Sequence, residues 1–301
     1  MHQKIEQKSL SVGAVINLIM AFSGWYAFYL SNSQSLLLDG NFSFLAFVST
    51  IVAIRISLIK SRTSEIFPFG YFVYESLYTM IKGVMIVIIL VIASISNISK
   101  IIHYFEGETV AILSTNIILI YAIIMSILSF STSFYYRYQN KKINNSSSLL
   151  SIEAIELNLD GYMSAVIGVV LISINFIDIH GTFGFLHYIG DSILVLILVL
   201  ALGKAPFQTI RNSFIELAGG TLQNSAKKRD IEAVLHKHLF EHNLLTGSYI
   251  SKNGSSYIVV AYLDTEQLER LNSGEILKIK NATREDLEKI QNQIVFELVL
   301  A

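Results

Sequence analysis

Residues 152–164, with the sequence IEAIELNLDGYMS, place three carboxylates at the start of a long apolar segment. Glu153, Glu156, Asp160 and Ser164 are separated by three, four and four residues. On an α-helix these intervals return to nearly the same face, so we expect the four side chains to point in one direction. Ionisable residues inside a membrane span are costly and usually mark a functional path. The stretch therefore predicts a membrane helix that carries an acidic, ion-binding stripe.

The composition of the whole chain indicates an integral membrane protein. Of its 301 residues, 52% are hydrophobic and 15% are charged, whereas soluble domains carry about 25% charged residues. The apolar residues occur in blocks of about twenty or more, which is typical of membrane helices. The net charge of −1 does not favour a nucleic-acid partner. The absence of cysteine excludes disulfides and thiolate metal sites.

Six apolar segments predict six transmembrane helices, within a membrane domain that comprises residues 1–210. The expected spans are residues 9–30, 36–59, 71–102, 110–136, 149–176 and 183–202. Lys and Arg concentrate in alternate loops, with Lys100 as the exception. The positive-inside rule then places both termini in the cytoplasm. We expect a multi-pass protein of the cell (inner) membrane.

Residues 211–301 hold most of the charge and predict a small cytoplasmic α+β domain with a ferredoxin-like fold. We expect a helix over residues 230–242, with Asp230 as its N-cap. Two strands over residues 245–251 and 256–263 form a hairpin, because Asn253-Gly254 is a turn signal. A second helix is expected to begin at Thr283 and to run to Leu298.

The second span supplies a carboxylate that can face the acidic stripe. Asp39 and Ser43 are one helical turn apart and share a face, whereas Asn41 lies off that face. Asp39 alone has a second interpretation, in which it caps its helix at the membrane interface. The hydroxyl residues of the fourth span, Ser129 among them, are interpreted as helix-packing residues.

Three motifs resemble the cation diffusion facilitator family. The string Ser33-x-x-Leu-Leu-x-Asp-Gly-x-x-Ser43 is similar to its second-span signature, and Phe67-Pro-Phe-Gly70 followed by Glu75 is similar to its loop into span three. Asp160 followed by Ser164 resembles its fifth-span motif. The resemblance covers nearly the whole chain. It implies a transporter, not an enzyme, that exports divalent cations from the cytoplasm by antiport with protons, as a homodimer.

The resemblance also implies a tetrahedral transport site between spans two and five. The fifth-span His of the family falls on Glu156 and its Asp on Asp160, while Glu153 matches an accessory acid. In span two, the two ligand positions of the family fall on Phe42 and Ala46, neither of which binds metal. A frame shifted by three residues would place Asp39 and Ser43 at the ligand positions, but the Leu-Leu-x-Asp-Gly string argues against that shift.

We therefore predict an oxygen-only metal site formed by Asp39, Ser43, Glu156 and Asp160, with Glu153 and Asn41 as accessory residues. Oxygen ligands favour Mn or Fe(II) among the candidates Mn, Fe(II), Co, Zn and Mg, since zinc prefers His or Cys. We expect no permanently bound cofactor. The alternative is a regulatory or scaffold homologue that has kept the fold and lost its metal site.

Two further groups of residues have open roles. Lys82, inside span three, either pairs with Asp160 or Glu156 or extends its ammonium to the cytoplasmic interface. If it pairs with an acid, it serves proton or charge coupling as an internal cation. In the segment HKHLFEH, His238 and His242 have the spacing of a chelating pair. We favour the interpretation that the segment, with His236, forms a solvated helix face.

Overall fold

A computed structural model describes residues 2–108, 115–143, 147–222, 226–240, 244–269, 271–291 and 293–300. The chain forms two compact units. The first comprises Met1–Leu58 and Ile81–Ile210, and the second comprises Ile59–Met80 and Arg211–Ala301. The candidate site residues of the membrane spans lie in the first unit. Each unit is described by itself.

Six helices are long and apolar enough to cross a membrane, as the sequence predicts. They are α1 (His2–Ser31), α2 (Gln34–Ile59), α3 (Val73–Phe105), α4 (Thr115–Lys142), α5 (Ser148–Ser173) and α6 (Leu186–Leu217). A short 3-10 turn, Ile174–Phe176, follows α5. The predicted start of the fourth span, residues 110–114, lies outside the described residues.

The first unit is organised by extensive packing of α5 along α4 and of α4 against α1. Its apolar core is formed by residues of α1, α2, α4, α5 and α6, and includes Met20, Leu36, Met125, Ile167, Leu171 and Leu194. Helices α1 and α2 approach closely at Gly24 and Gly40. A Cβ atom at Gly24 would lie 2.6 Å from the Cα of Gly40, so glycine is required there. This contact lies one residue from Asp39.

Helix α6 is longer than the sequence predicts. The expected span ends at residue 202, but the helix continues through Pro206 to Leu217. Proline removes one backbone hydrogen bond, and membrane helices tolerate that loss when neighbouring groups satisfy the freed carbonyl. The composition change after Pro206 therefore occurs within one helix.

The second unit contains a three-stranded sheet and short helices, as the predicted α+β class requires. Its elements are α7 (Ala226–Leu235), a π-helical turn (His236–Phe240), β1 (Leu245–Asn253), β2 (Ser256–Leu263), α8 (Thr265–Leu268), α9 (Ser273–Ile290) and β3 (Ile294–Leu300). Strand β2 is central, antiparallel to β1 and parallel to β3. Its core includes Ile231, Leu235, Ile250, Val259, Leu287 and Phe296.

The predicted hairpin is confirmed, because Asn253 pairs with Ser256 across a turn in which Gly254 has a φ of 60°. This turn is held by residues of the 59–80 segment. The backbone N–H of Gly254 donates to Ser76 Oγ at 2.8 Å, and the N–H of Ser255 donates to Glu75 Oε2. Lys60 completes the contact with a 3.0 Å ion pair to Glu75.

Two helix predictions in this unit are wrong in their bounds. Helix α9 begins at Ser273, where Asn272 and Glu275 form a capping box, and ends at Ile290. Leu298 lies in β3, because the apolar run after Ile290 pairs with β2 rather than extending the helix. Helix α7 begins at Ala226, so Asp230 lies inside it and is not its N-cap.

Candidate functional site

Helix α5 is fixed at its start by a local hydrogen-bond network. The Ser147 hydroxyl accepts a hydrogen bond from the backbone N–H of Leu150, which satisfies one of the unpaired amides of the first turn. The Asn140 side chain of α4 donates from Nδ2 to the Ser147 carbonyl at 3.0 Å, and its Oδ1 accepts from the Ser147 N–H at 3.1 Å. The cap therefore ties the start of α5, just before the acidic stripe, to α4.

Asp39 is completely buried on α2 and joins three helices. Its Oδ2 accepts a hydrogen bond of 2.7 Å from the Tyr121 hydroxyl of α4 and one of 3.1 Å from the Ser164 hydroxyl of α5. The sequence predicts that Asp39 can face the acidic stripe, and the structure brings Asp39 into direct contact with Ser164 of that stripe. The sequence pattern does not single out Tyr121, because a tyrosine in an apolar span is ordinarily a packing residue.

Asp160 lies one turn before Ser164 on the same face of α5. The Ser129 hydroxyl of α4 donates to Asp160 Oδ2 at 2.9 Å. Asp160 is close enough to Asp39 and to Glu156 for the charges to interact. Ser129 thus contacts a candidate ligand, although its sequence context indicates only packing. The two aspartates form the centre of an acidic region between α2, α4 and α5.

Two oxygen atoms in this region have no hydrogen-bond partner among the described residues. Asp39 Oδ1 and Ser43 Oγ are both buried and unpaired there. They come from one face of α2, four residues apart. An unpaired buried acceptor is costly, so a ligand that binds both atoms would recover the lost interaction. The pair fits a hard cation, which prefers carboxylate and neutral oxygen ligands.

Glu156 and Glu153 are engaged by a buried cation from α3. The Lys82 ammonium contacts Glu156 Oε2 and lies 3.8 Å from Glu153 Oε1. Glu153 Oε2 also accepts a 3.3 Å hydrogen bond from Thr50 Oγ1 of α2. Of the alternatives for Lys82, the structure shows the ion pair, with Glu153 and Glu156 as partners.

Asn41 forms a hydrogen bond with α1, whereas Asp39 forms hydrogen bonds with α4 and α5. Its Oδ1 accepts a 3.0 Å hydrogen bond from Trp25 Nε1 on α1. Phe42 and Ala46 are partly buried on α2 and offer no ligand atom. Span two therefore contacts the acidic stripe through Asp39 and Thr50, while Ser43 lies one turn after Asp39 on the same face.

Helix α6 carries a further buried carboxylate, Asp191, which the sequence pattern does not single out. Asp191 is completely buried and accepts hydrogen bonds at the N-terminus of α2. Its Oδ1 is 3.1 Å from both Ser33 Oγ and Ser35 N and also contacts Ser35 Oγ, while its Oδ2 contacts Gln34 N. Lys100 of α3 interacts with it electrostatically. A single acid in an apolar run is the signal that could have marked it.

The histidines of the second unit do not show a metal site in the described residues. His238 Nε2 lies 2.9 Å from Asp286 Oδ2, and His236 is exposed. His242 lies outside the described residues. Hydrogen bonds from Lys237, Lys289 and His238 hold the pKa of Asp286 well below its usual range. Within the described ranges, one exposed group could hold a metal: His103, Glu106 and Glu108, whose ligand atoms lie within 4.8 Å of one another.

Comparison with known families accounts for the membrane helices. The model of the cation efflux transmembrane domain matches residues 10–218. No curated protein matches the sequence significantly. The matched region covers well over half of the 301 residues and contains Asp39, Glu153, Glu156, Asp160 and Asp191. The chain is therefore a multi-pass membrane cation transporter, and it belongs to the cation efflux, or cation diffusion facilitator, family.

Proposed function

We propose that this protein exports a divalent cation from the cytoplasm in exchange for protons. Asp39, Ser43 and Asp160 would form the central site, and Glu156 would join them when cargo is bound. The observation that carries the proposal is the pair of unpaired buried oxygens, Asp39 Oδ1 and Ser43 Oγ, beside Asp160. Glu153 and Asn41 would remain accessory residues, since other side chains already engage them.

Proton exchange follows from the proximity of two carboxylates. Asp39 and Asp160 interact in a water-poor environment, where two like charges cannot both persist at low cost. One of the pair would hold a proton in the absence of cargo. A divalent cation stabilises both anions and displaces that proton. Alternating exposure of the site to the two sides of the membrane then moves cation and proton in opposite directions.

The hydroxyl groups around the pair would orient its oxygens. Tyr121 and Ser164 both donate to one oxygen of Asp39, which leaves the other oxygen free for cargo. Ser129 donates to one oxygen of Asp160 in the same way. Each carboxylate would thus bind the cation through one oxygen while hydroxyls hold the other. This arrangement preorganises an oxygen site without histidine.

The direction of transport is supported by the distribution of basic residues. Lys and Arg cluster toward the C-terminal ends of α2, α4 and α6, which the positive-inside rule assigns to the cytoplasm. Both termini would then be cytoplasmic, in the cell (inner) membrane. The stripe on α5 would begin near the cytoplasm with Glu153 and reach Asp160 deeper in the span. A homodimer is supported by the family resemblance and by the small size of the second unit.

The oxygen ligands favour Mn or Fe(II) over zinc. Full-length protein in proteoliposomes should show metal-stimulated proton flux, with Mn, Fe(II), Co, Zn and Mg compared side by side. We expect Mn or Fe(II) to give the largest response. A response to none of the five metals would instead support the alternative of a non-transporting homologue, which Phe42 and Ala46 favour.

A further inference from the structure

The acidic stripe of α5 is divided into two parts by a lysine from another helix. Asp160 accepts a hydrogen bond from Ser129, whereas Glu156 and Glu153 face the ammonium of Lys82. The Lys82 side chain is only 11% exposed, so its charge is held inside the unit. The cation therefore belongs to the stripe and does not extend into solvent.

The two glutamates are held differently. The Glu153 side chain is 4% exposed and contacts both Thr50 of α2 and Lys82. The Glu156 side chain is 38% exposed and contacts Lys82. Glu153 is therefore locked by two helices, while Glu156 has the room to exchange one cation for another. Glu156 is also the glutamate nearer Asp160, one helical turn away.

An ammonium has three donors and resembles a bound cation in charge and in its preference for oxygen. Where it contacts Glu156, it satisfies the carboxylate that cargo would otherwise bind. Lys82 is attached to α3 through a flexible four-carbon chain, so it can leave Glu156 without leaving the protein. Its effective concentration at Glu156 is accordingly high and constant.

We propose that Lys82 is a tethered cation that competes with cargo for Glu156. This inference rests on the proposed function and deepens it, since it assigns a regulator to the same site. Without cargo, Lys82 neutralises Glu156 and holds α3 against α5. Cargo that reaches Asp39 and Asp160 takes Glu156 from Lys82 and releases that contact. Lys82 thereby sets the apparent affinity and favours divalent cations, which carry enough charge to displace an ammonium.

The test uses Mn²⁺ titration of full-length protein in lipid nanodiscs by calorimetry. Lys82→Gln should tighten the apparent Mn²⁺ Kd by about tenfold, because a charge-assisted hydrogen bond no longer has to be displaced. Lys82→Arg keeps the positive charge, so its apparent Mn²⁺ Kd should stay close to that of the wild type. Lys142→Gln, which removes an exposed charge near Tyr138 on α4, is the matched control. An unchanged or weaker Kd in folded Lys82→Gln protein overturns the proposal.

A double-mutant comparison separates competition from a merely structural ion pair. The Lys82→Gln gain should disappear in a Glu156→Gln background, since the contested carboxylate is then absent. A gain that persists in that background overturns the proposal. If Lys82→Gln does not fold, Lys82→Gln/Glu153→Gln is compared with Glu153→Gln, because this pair removes both buried charges together. The same gain is expected there, and its absence also counts against competition.

The outcomes distinguish this proposal from the function on which it rests. Mn²⁺ binding that Asp160→Asn abolishes but Lys82→Gln leaves unchanged overturns the role of Lys82 alone. Mn²⁺ binding that survives Asp160→Asn overturns the proposed transport site itself. Absence of Mn²⁺ binding in both the wild type and Lys82→Gln overturns both proposals.

Discussion

Asp39 on α2 and Ser164 on α5 are joined by a hydrogen bond of 3.1 Å in the interior of the membrane unit. The same carboxylate oxygen also accepts from Tyr121 on α4. One oxygen of Asp39 therefore ties three helices together, while the other is unpaired in the described part of the chain. Asp39 Oδ1 is thereby left available to a ligand in the acidic region that includes Asp160.

Ser43→Ala tests whether the unpaired hydroxyl is a ligand. Ser43 Oγ has no hydrogen-bond partner in the described residues, so its removal should leave the thermal stability of the purified protein unchanged. The apparent affinity for Mn²⁺ should fall by about fivefold, since one neutral oxygen ligand is lost. Calorimetry and a thermal unfolding scan measure the two effects.

The matched control is Ser133→Ala. The Ser133 hydroxyl donates to the backbone carbonyl of Ala154 at 2.6 Å, where it joins α4 to α5. Its loss should lower thermal stability more than affinity. If Ser43→Ala destabilises the protein and leaves the affinity intact, Ser43 is a packing residue.

Gly24→Ala should disrupt the crossing of α1 and α2. The added Cβ would lie 2.6 Å from the Cα of Gly40, a distance that only a backbone shift can relieve. We expect a loss of about 1–3 kcal/mol in the free energy of unfolding, typical of overpacking. Because Gly40 directly follows Asp39, a backbone shift at Gly40 should also displace Asp39, so transport should fall as well. Stability and cation flux are measured on the same preparation.

Gly203→Ala on α6 provides the comparison, because a Cβ there meets nothing within 4 Å. Alanine has the higher helix propensity, so the protein should be as stable as wild type or more stable by up to about 1 kcal/mol. Equal losses from the two substitutions would contradict the close-contact explanation at Gly24.

Asp191→Asn should destabilise the start of α2. An amide has one acceptor oxygen, so it cannot accept from Ser33, Gln34 and Ser35 together. A buried donor left unpaired costs about 1–3 kcal/mol. Hydrogen exchange at the amides of residues 34 and 35 should accelerate. Unchanged protection of these amides would show that Asp191 does not hold the helix terminus.

Asp286→Ala should lower the stability of the second unit in a pH-dependent way. Hydrogen bonds chiefly from Lys237, and also from Lys289 and His238, depress the Asp286 pKa. A carboxylate with a depressed pKa stabilises the fold above the ordinary Asp pKa, about 3.9, and loses this contribution as the pH falls toward its folded-state value. The loss of stability caused by Asp286→Ala should therefore be greatest at pH 7 and should become smaller below about pH 4.

Hydrogen exchange of the α9 amides in full-length protein measures this effect across pH. Glu288→Ala is the control, since Glu288 forms an exposed surface pair with Arg284 on the same helix and should contribute little. If Asp286→Ala lowers stability equally at pH 7 and below about pH 4, the ion-pair explanation is contradicted.

Periodicity predicted the parts of the fold that depend on local sequence. The spacing of Glu153, Glu156, Asp160 and Ser164 placed them on one face, and the asparagine–glycine turn placed β1 against β2. The parallel pairing of β3 with β2 was missed, because the two strands are distant in sequence. Apolar residues after Ile290 suit either a helix or a strand, and only the long-range contact decides between them.

The candidate site was predictable from its charged residues but not from the groups that orient them. Asp39 and Asp160 stand out as acids in apolar spans. Tyr121 and Ser129 do not, because α4 carries many hydroxyl residues and only its packing against α5 selects these two. Similarly, the partners of Lys82 depend on the rotation of α3 relative to α5, which the sequence does not specify.

The most direct measurement is Mn²⁺-driven proton flux in proteoliposomes that contain wild-type protein, Asp39→Asn or Asp160→Asn. Asp178→Asn, an exposed acid after α5, serves as the control. Asp39→Asn and Asp160→Asn should both fold and insert like wild type, yet reduce flux to the level of empty liposomes, while the control keeps its flux. Wild-type flux in correctly inserted Asp160→Asn would contradict the assignment of this carboxylate to the transport site.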